Sequence, residues 1–231
     1  MTTEMATALI TESATDAEHI SVLGTTALLF DVPGEMNLLT QQRLWSLAQE
    51  VEAWPEVREA VPGMNNLMLV FERPPLALAR IETRLREAWR AATPLSREGR
   101  LVELPVVYGG ELGPHMADVV NHTGLSVDEI VVRHSAPDYH VYALGSHPGY
   151  CYLGGMDPRI ATPRRKVPVL SIPGGAVSIG GSQTGVSASD GPSGWNTIGS
   201  SEMCFFDPAK NPPALLQPGD ILRFRVEKVI R

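Results

Sequence analysis

Two short stretches of this sequence carry side chains suited to chemistry on a small polar molecule. In the first, His147 and Tyr150 flank Pro148-Gly149, a turn dipeptide that would set both rings at one rim, the imidazole as a proton acceptor and the phenol as a donor. In the second, Arg164 and Arg165 follow Pro163, and guanidinium forks suit carboxylates and phosphates. Gln183 and Thr184 offer amide and hydroxyl groups, and Trp195 offers a flat apolar wall. The plainer alternatives are a solvated basic turn running on to Lys166, and a buried structural Trp195. Twelve of the 21 glycines fall between Gly145 and Gly199. Glycine serves tight turns and close approach of backbone to a ligand, and exposed N–H groups in such loops can cradle an anion.

Other chemistries lack support. His134, His140 and His147 are not accompanied by paired Cys, a His-Glu-x-x-His run or an acidic cluster, so no metal is expected. Cys151 has no identifiable base and is not read as a nucleophile. A net charge of -7 argues against nucleic acid or anionic membrane as a partner, because both require clustered Lys and Arg. No Lys or Arg precedes Arg43, no apolar run approaches the roughly 20 residues of a membrane span, and the two cysteines read as reduced thiols. A cytoplasmic location is expected.

The elements that must hold these residues fall into two compositional halves. Residues 1–19 are expected to be a flexible tail. Residues 21–32 read as one strand, and Thr40 as the cap of a helix whose Leu44, Leu47, Val51 and Trp54 share a face. Two strands, 56–61 and 66–72, turn through Pro62-Gly63, and Leu78, Ile81, Leu85 and Ala88 mark a second helix. Trp54 and Trp89 read as core. These elements make a compact α/β sandwich over residues 20–92, followed by a linker at 93–100. Residues 101–231 open on a strand at 101–108, a helix at 114–122 and a capping box at Ser126 and Glu129. Short apolar segments at 138–144, 169–172, 176–179, 203–206 and 221–226 then suggest a β-barrel or sandwich.

The residues of the second half also carry a resemblance. His134-Ser135, Tyr139, the run Gly145 to Leu153, Thr162 to Arg165, Ile172 to Gly175, Gly180 to Gly185, Pro192 to Trp195 and Ile198-Gly199 are similar, in order and spacing, to the signature of one family. That family comprises the 5-oxoprolinase B subunit, the KipI kinase inhibitors and allophanate hydrolase subunit 1. Residues 60–67, 104–110 and 216–224 resemble it too. The resemblance implies an α+β protein with an N-terminal ferredoxin-like sandwich and a C-terminal cyclophilin-like β-barrel. It also implies a carboxyltransferase-like partner subunit, with a LamB/YcsF-type subunit as a further component, and a complex in which ATP hydrolysis drives opening of a lactam. By this analogy the chain is inactive alone and binds substrate or nucleotide through His147, Gly149, Tyr150, Arg164, Arg165, Gln183 and Trp195, with His134 and Tyr139 as structural support.

The sequence departs from that pattern at Ser146 and Tyr150, where the family usually carries Phe, and at His147, Val169, Ser187 and Ser193. The expected pocket is therefore more polar, and a related amide or ureido compound joins 5-oxoproline as a candidate substrate. Two other functions stay open: a KipI-like inhibitor of a sensor histidine kinase, and a carboxyltransferase-type component of urea or allophanate metabolism.

Overall fold

The computed structural model describes residues 18–95 and 99–231. The expected tail up to residue 17 and the middle of the expected linker lie outside the described residues. The N-terminal part builds one antiparallel sheet from β1 (His19–Leu23), β2 (Ala27–Asp31), β3 (Val57–Pro62) and β4 (Asn66–Phe71), in the order β1-β2-β4-β3. Helices α1 (Leu38–Glu52) and α2 (Leu78–Ala91) belong to the same unit. Alternation explains the layering. Leu28, Phe30, Leu67, Leu69 and Phe71 are buried at every second position, and they share a core with Leu44, Leu47 and Val51 of α1 and Ile81, Leu85 and Trp89 of α2. Trp54 joins that core.

Two local expectations are corrected. Residues 21–32 form a hairpin rather than one strand, because Gly24 takes φ 60 and reverses the chain between β1 and β2. Asn37, not Thr40, caps α1: its side chain accepts the Thr40 N–H at 2.9 Å. The hairpin also gives the sandwich its topology. A ferredoxin-like unit runs β-α-β-β-α-β, whereas here the edge strand β1 precedes the rest and nothing follows α2 in the sheet.

The C-terminal part is a closed barrel of seven strands, in the order β10-β7-β6-β13-β5-β12-β9. Its strands are β5 (Leu101–Gly109), β6 (Tyr139–Leu144), β7 (Cys151–Gly154), β9 (Ala176–Gly180), β10 (Gln183–Val186), β12 (Asn196–Ser200) and β13 (Ile221–Ile230). β13 pairs parallel with β5, and β9 closes the ring on β10. Between β5 and β6 lie α3 (Met116–Thr123) and α4 (Val127–Ser135), the latter opened by the Ser126–Glu129 capping box. β8 (Val169–Ile172) and β11 (Gly191–Ser193) form a separate two-stranded sheet. Residues 203–206 do not form the expected strand; Phe206 makes an isolated bridge to Ala214. The barrel has its own core, including Leu104, Val106, Tyr108, Val141, Leu153, Val177, Ile179, Ile198 and Phe224. No helix among the described residues is long and apolar enough to cross a membrane.

Candidate functional site

A cavity of about 280 Å³ opens on the outside of the barrel wall, lined by Ser146, His147, Tyr150, Tyr152, Arg164, Ser178, Ser187, Pro192, Ser193, Gly194 and Trp195. Its shape follows from the strand residues beneath it. On β9 the even positions Ala176, Ser178 and Gly180 alternate with the core residues Val177 and Ile179. A Cβ on Gly180 would sit 2.4 Å from the Trp195 ring, and one on Gly185 would sit 2.5 Å from the Tyr150 hydroxyl. Neither glycine has positive φ. They are flat places on the paired strands β9 and β10, on which the two aromatic walls rest.

The loop between β6 and β7 presents His147 and Tyr150 at the same cavity. Gly145 N–H donates to Tyr150 O at 3.1 Å and Tyr150 N–H to His147 O at 3.1 Å, while Ser146 and Gly149 take φ of 64 and 82. Gly149 permits more than the turn, since a Cβ there would lie 2.8 Å from Phe205 O. The rings of His147 and Tyr150 are 5.1 Å apart, and Tyr150 meets Tyr152 and Trp195 edge-on at 5.1 and 6.3 Å.

The expected proton acceptor is a donor here. His147 Nε2 already accepts the Ala188 N–H at 3.2 Å, and burial lowers its pKa, so the neutral ring carries its proton on Nδ1. Burial raises the Tyr150 phenol and keeps it protonated. Arg164 stands with its guanidinium carbon 5.6 Å from the Trp195 ring centroid. Together with the serine hydroxyls these groups make a donor-rich cavity with one fixed positive charge and no carboxylate in its lining among the described residues. Such a lining suits a compact ligand rich in acceptor oxygens, and it holds no general base.

The remaining candidates lie elsewhere. Arg165 turns away from the cavity and pairs with Asp118 of α3, while its N–H anchors the segment on Gly194 O at 2.7 Å. Gln183 leaves the cavity for the seam with the sandwich, where its amide meets the sulfurs of Met36 and Met64 at 3.5 and 3.4 Å. His134 is wholly buried. Thr184 Oγ1 donates to Ser178 O at 3.1 Å, so it must accept from His134 Nε2–H at 2.8 Å; His134 Nδ1 then accepts the Tyr108 hydroxyl, also at 2.8 Å. Tyr139 donates its hydroxyl to His134 O at 2.8 Å. This chain of bonds stands directly behind the cavity wall at Ser178.

Cys151 points into the core, where burial pushes its thiol up to about 12. No group of three or more His, Cys, Asp or Glu side chains placed to hold a metal occurs among the described residues. Ser178 and Tyr152 escaped the sequence reading as site residues. The signal for Ser178 was its place in an alternating strand, two residues before Gly180.

The comparisons with known proteins agree with this architecture. The chain is 44% identical to the 5-oxoprolinase B subunit of Escherichia coli O157:H7 over 90% of this chain and 95% of that one. It is 36% identical to the Bacillus subtilis protein of the same name over 89% and 91% of the two chains. Among solved structures, TTHA0988 matches at 30% identity and TM-score 0.72 over 89% of this chain, which spans only 40% of that longer chain. A conserved uncharacterized protein from Pyrococcus horikoshii matches at 37% identity and TM-score 0.55, with coverage of 91% and 98%. The Kluyveromyces lactis urea amidolyase, at 16% identity and TM-score 0.81 over 95% of this chain and 15% of that one, shares the fold. With residues 18–216 matching the carboxyltransferase domain, subdomain C and D, the chain belongs to that family, which includes the 5-oxoprolinase B subunit.

Proposed function

We propose that this chain is one component of an ATP-dependent, 5-oxoprolinase-like complex that opens a lactam or cleaves a related amide or ureido compound. Relatives of its own length are named as the B subunit of 5-oxoprolinase. The observation that carries the chemistry is the donor-rich cavity around Arg164, His147 and Tyr150. A lactam carbonyl and its neighbouring carboxylate are acceptors, and a lactam is a poor electrophile that gains from donors aimed at its oxygen. Arg164 would take the carboxylate, and Tyr150 O–H and His147 Nδ1–H the carbonyl oxygen as charge develops there. A cavity of about 280 Å³ lies just below the roughly 300–1,000 Å³ of ordinary ligand clefts, enough for one ring and short of a nucleoside triphosphate. ATP therefore does not fill this cavity.

Because the lining offers no base, a second chain must supply the group that activates water. A carboxyltransferase-like partner, with a LamB/YcsF-type subunit, fits that need, and the chain alone is inactive. Reconstitution tests this. The three proteins together should release glutamate and phosphate from 5-oxoproline and ATP, and each alone should not. Absence of any lactam- or amide-dependent ATP hydrolysis by the assembled complex would end this reading.

A further inference from the structure

The Pyrococcus horikoshii structure is 37% identical along 98% of its length yet superposes at TM-score 0.55, whereas the Kluyveromyces lactis structure reaches 0.81 at 16% identity. Divergence of fold does not account for the lower score, because the more similar sequence has the lower one. Two parts set at different angles in the two structures would account for it. Residues 101–231 make up just over half of the chain, so a superposition that fitted the barrel alone would give a score of about that size.

The seam between the two parts has the construction of a latch. The sandwich and the barrel keep separate apolar cores. Among the described residues, the side-chain hydrogen bonds that cross between them converge on few atoms. Gln41 Nε2 and Trp45 Nε1, both from α1, donate to the single acceptor Tyr142 O at 3.2 and 2.9 Å. The other crossing contacts join the Gln183 amide to the soft sulfurs of Met36 and Met64. Tyr142 is the extra residue of a bulge, where the β6–β7 register shifts between Val141 and Ala143, and so stands outside the ladder. Gln41 is wholly buried and bonded on every side, accepting Asn65 N–H and donating also to Gly63 O.

We infer that the sandwich reorients against the barrel and latches through the Tyr142 carbonyl, and that the latched state fixes the bulge from which the cavity loop springs. Gly145 follows Tyr142 by three residues, and the loop it opens carries His147 and Tyr150. The sandwich thereby sets the rim of the cavity. This consequence for the rim rests on reading the cavity as the ligand site; the reorientation does not.

The test needs no ligand. Spin labels placed by Glu87→Cys on α2 and Lys228→Cys on β13, in a Cys204→Ser background with Cys151 buried, report the distance between the two parts. Trp45→Phe keeps a ring in place and removes one donor to Tyr142 O; Gln41→Leu removes the other. Two distance populations are expected, with Trp45→Phe shifting their ratio about fivefold toward the longer-range alternative, as the loss of one modest hydrogen bond would. In hydrogen exchange, amides of residues 143–150 should open faster in Trp45→Phe while those of α2 keep their rates. A single narrow distance that neither variant alters, or exchange that rises equally across α2, overturns the latch. Should Gln41→Leu fail to fold, Trp45→Phe decides alone. Arg164→Ala should leave the distances unchanged, so failure of the cavity reading and failure of the latch are seen separately.

Discussion

The sandwich and the barrel use glycine differently, and the difference follows the candidate cavity. Three of the 21 glycines lie in the described part of the sandwich; the other eighteen follow from Gly99 onward. Gly24 and Gly34 sit at positive φ with open space where a Cβ would go, so they serve the backbone alone. In the barrel, Gly154, Gly180 and Gly185 are strand residues without positive φ, covered by Tyr142, Trp195 and Tyr150. There the missing side chain makes room for a ring. The sandwich keeps Phe30, Trp54, Phe71 and Trp89 in its core and sends only Trp45 to the seam, whereas the barrel turns Tyr150, Tyr152 and Trp195 onto its outer wall around a cavity.

The largest expected effect tests whether acid sensitivity belongs to the barrel. Burial lowers the His134 pKa from 6.5 to about 3, so between those values the unfolded chain binds a proton that the folded chain refuses. Stability from this residue is therefore whole above pH 6.5 and falls as pH drops toward 3, by roughly 1.4 kcal/mol per unit. Urea unfolding followed by intrinsic fluorescence should lose about 2 kcal/mol between pH 7 and pH 5, and His134→Gln should flatten that slope. An unchanged slope in the variant would place the sensitivity elsewhere.

Gly180→Ala comes next. Its Cβ would press on the Trp195 ring, and overpacking of this kind costs about 1–3 kcal/mol, or several degrees of Tm in a chain of this size. It should also blunt ligand binding in the cavity. Gly34→Ala meets no neighbouring atom, carries only the strain of positive φ, about 1–2 kcal/mol, and should leave binding intact. Calorimetry on both variants, with binding of 5-oxoproline to the assembled complex, separates ring displacement from backbone strain.

The sandwich was readable because its strands alternate apolar and polar residues and its helices repeat at i, i+3 and i+4. Four strands of the barrel half were not. β7, β10, β11 and β12 carry Gly, Ser and Thr where an outer wall supports rings or a second sheet, so their period is muted and they resemble loops. At the site, the residue types were legible and their directions were not. His147 became a donor because Ala188, 41 residues away, occupies Nε2; Arg165 left the cavity for Asp118, 47 residues earlier. Spacing within a motif cannot reveal partners that only the closure of the barrel brings near. The Tyr142 latch has the same origin, since Gln41 and Trp45 come from the other half of the chain.

Arg–Trp pairs occur in both regions and sharpen the contrast to single residues. In the sandwich, Arg43 lies 3.9 Å from the Trp89 centroid and donates to Ala92 O and Trp89 O, and Arg84 lies 3.8 Å from Trp54 and pairs with Glu56. These guanidiniums are committed to the fold. Arg164 stands farther from Trp195, at 5.6 Å, and makes no hydrogen bond or ion pair among the described residues while lining the cavity. Its donors are available to a ligand. Arg43→Ala should therefore cost about 1 kcal/mol of stability through the lost cation–π contact and hydrogen bonds, with no effect on ligand affinity. Arg164→Ala should do the reverse, leaving Tm within a degree or two while weakening 5-oxoproline binding by the complex about tenfold, the scale of one hydrogen bond to a charged group. Arg165→Ala controls for charge at the same loop and should leave affinity near wild type, because its exposed pair with Asp118 faces away from the cavity. Titration calorimetry and thermal melts on the three variants decide the matter: if Arg164→Ala and Arg165→Ala weaken binding equally, the loop acts by net charge and the cavity does not select Arg164.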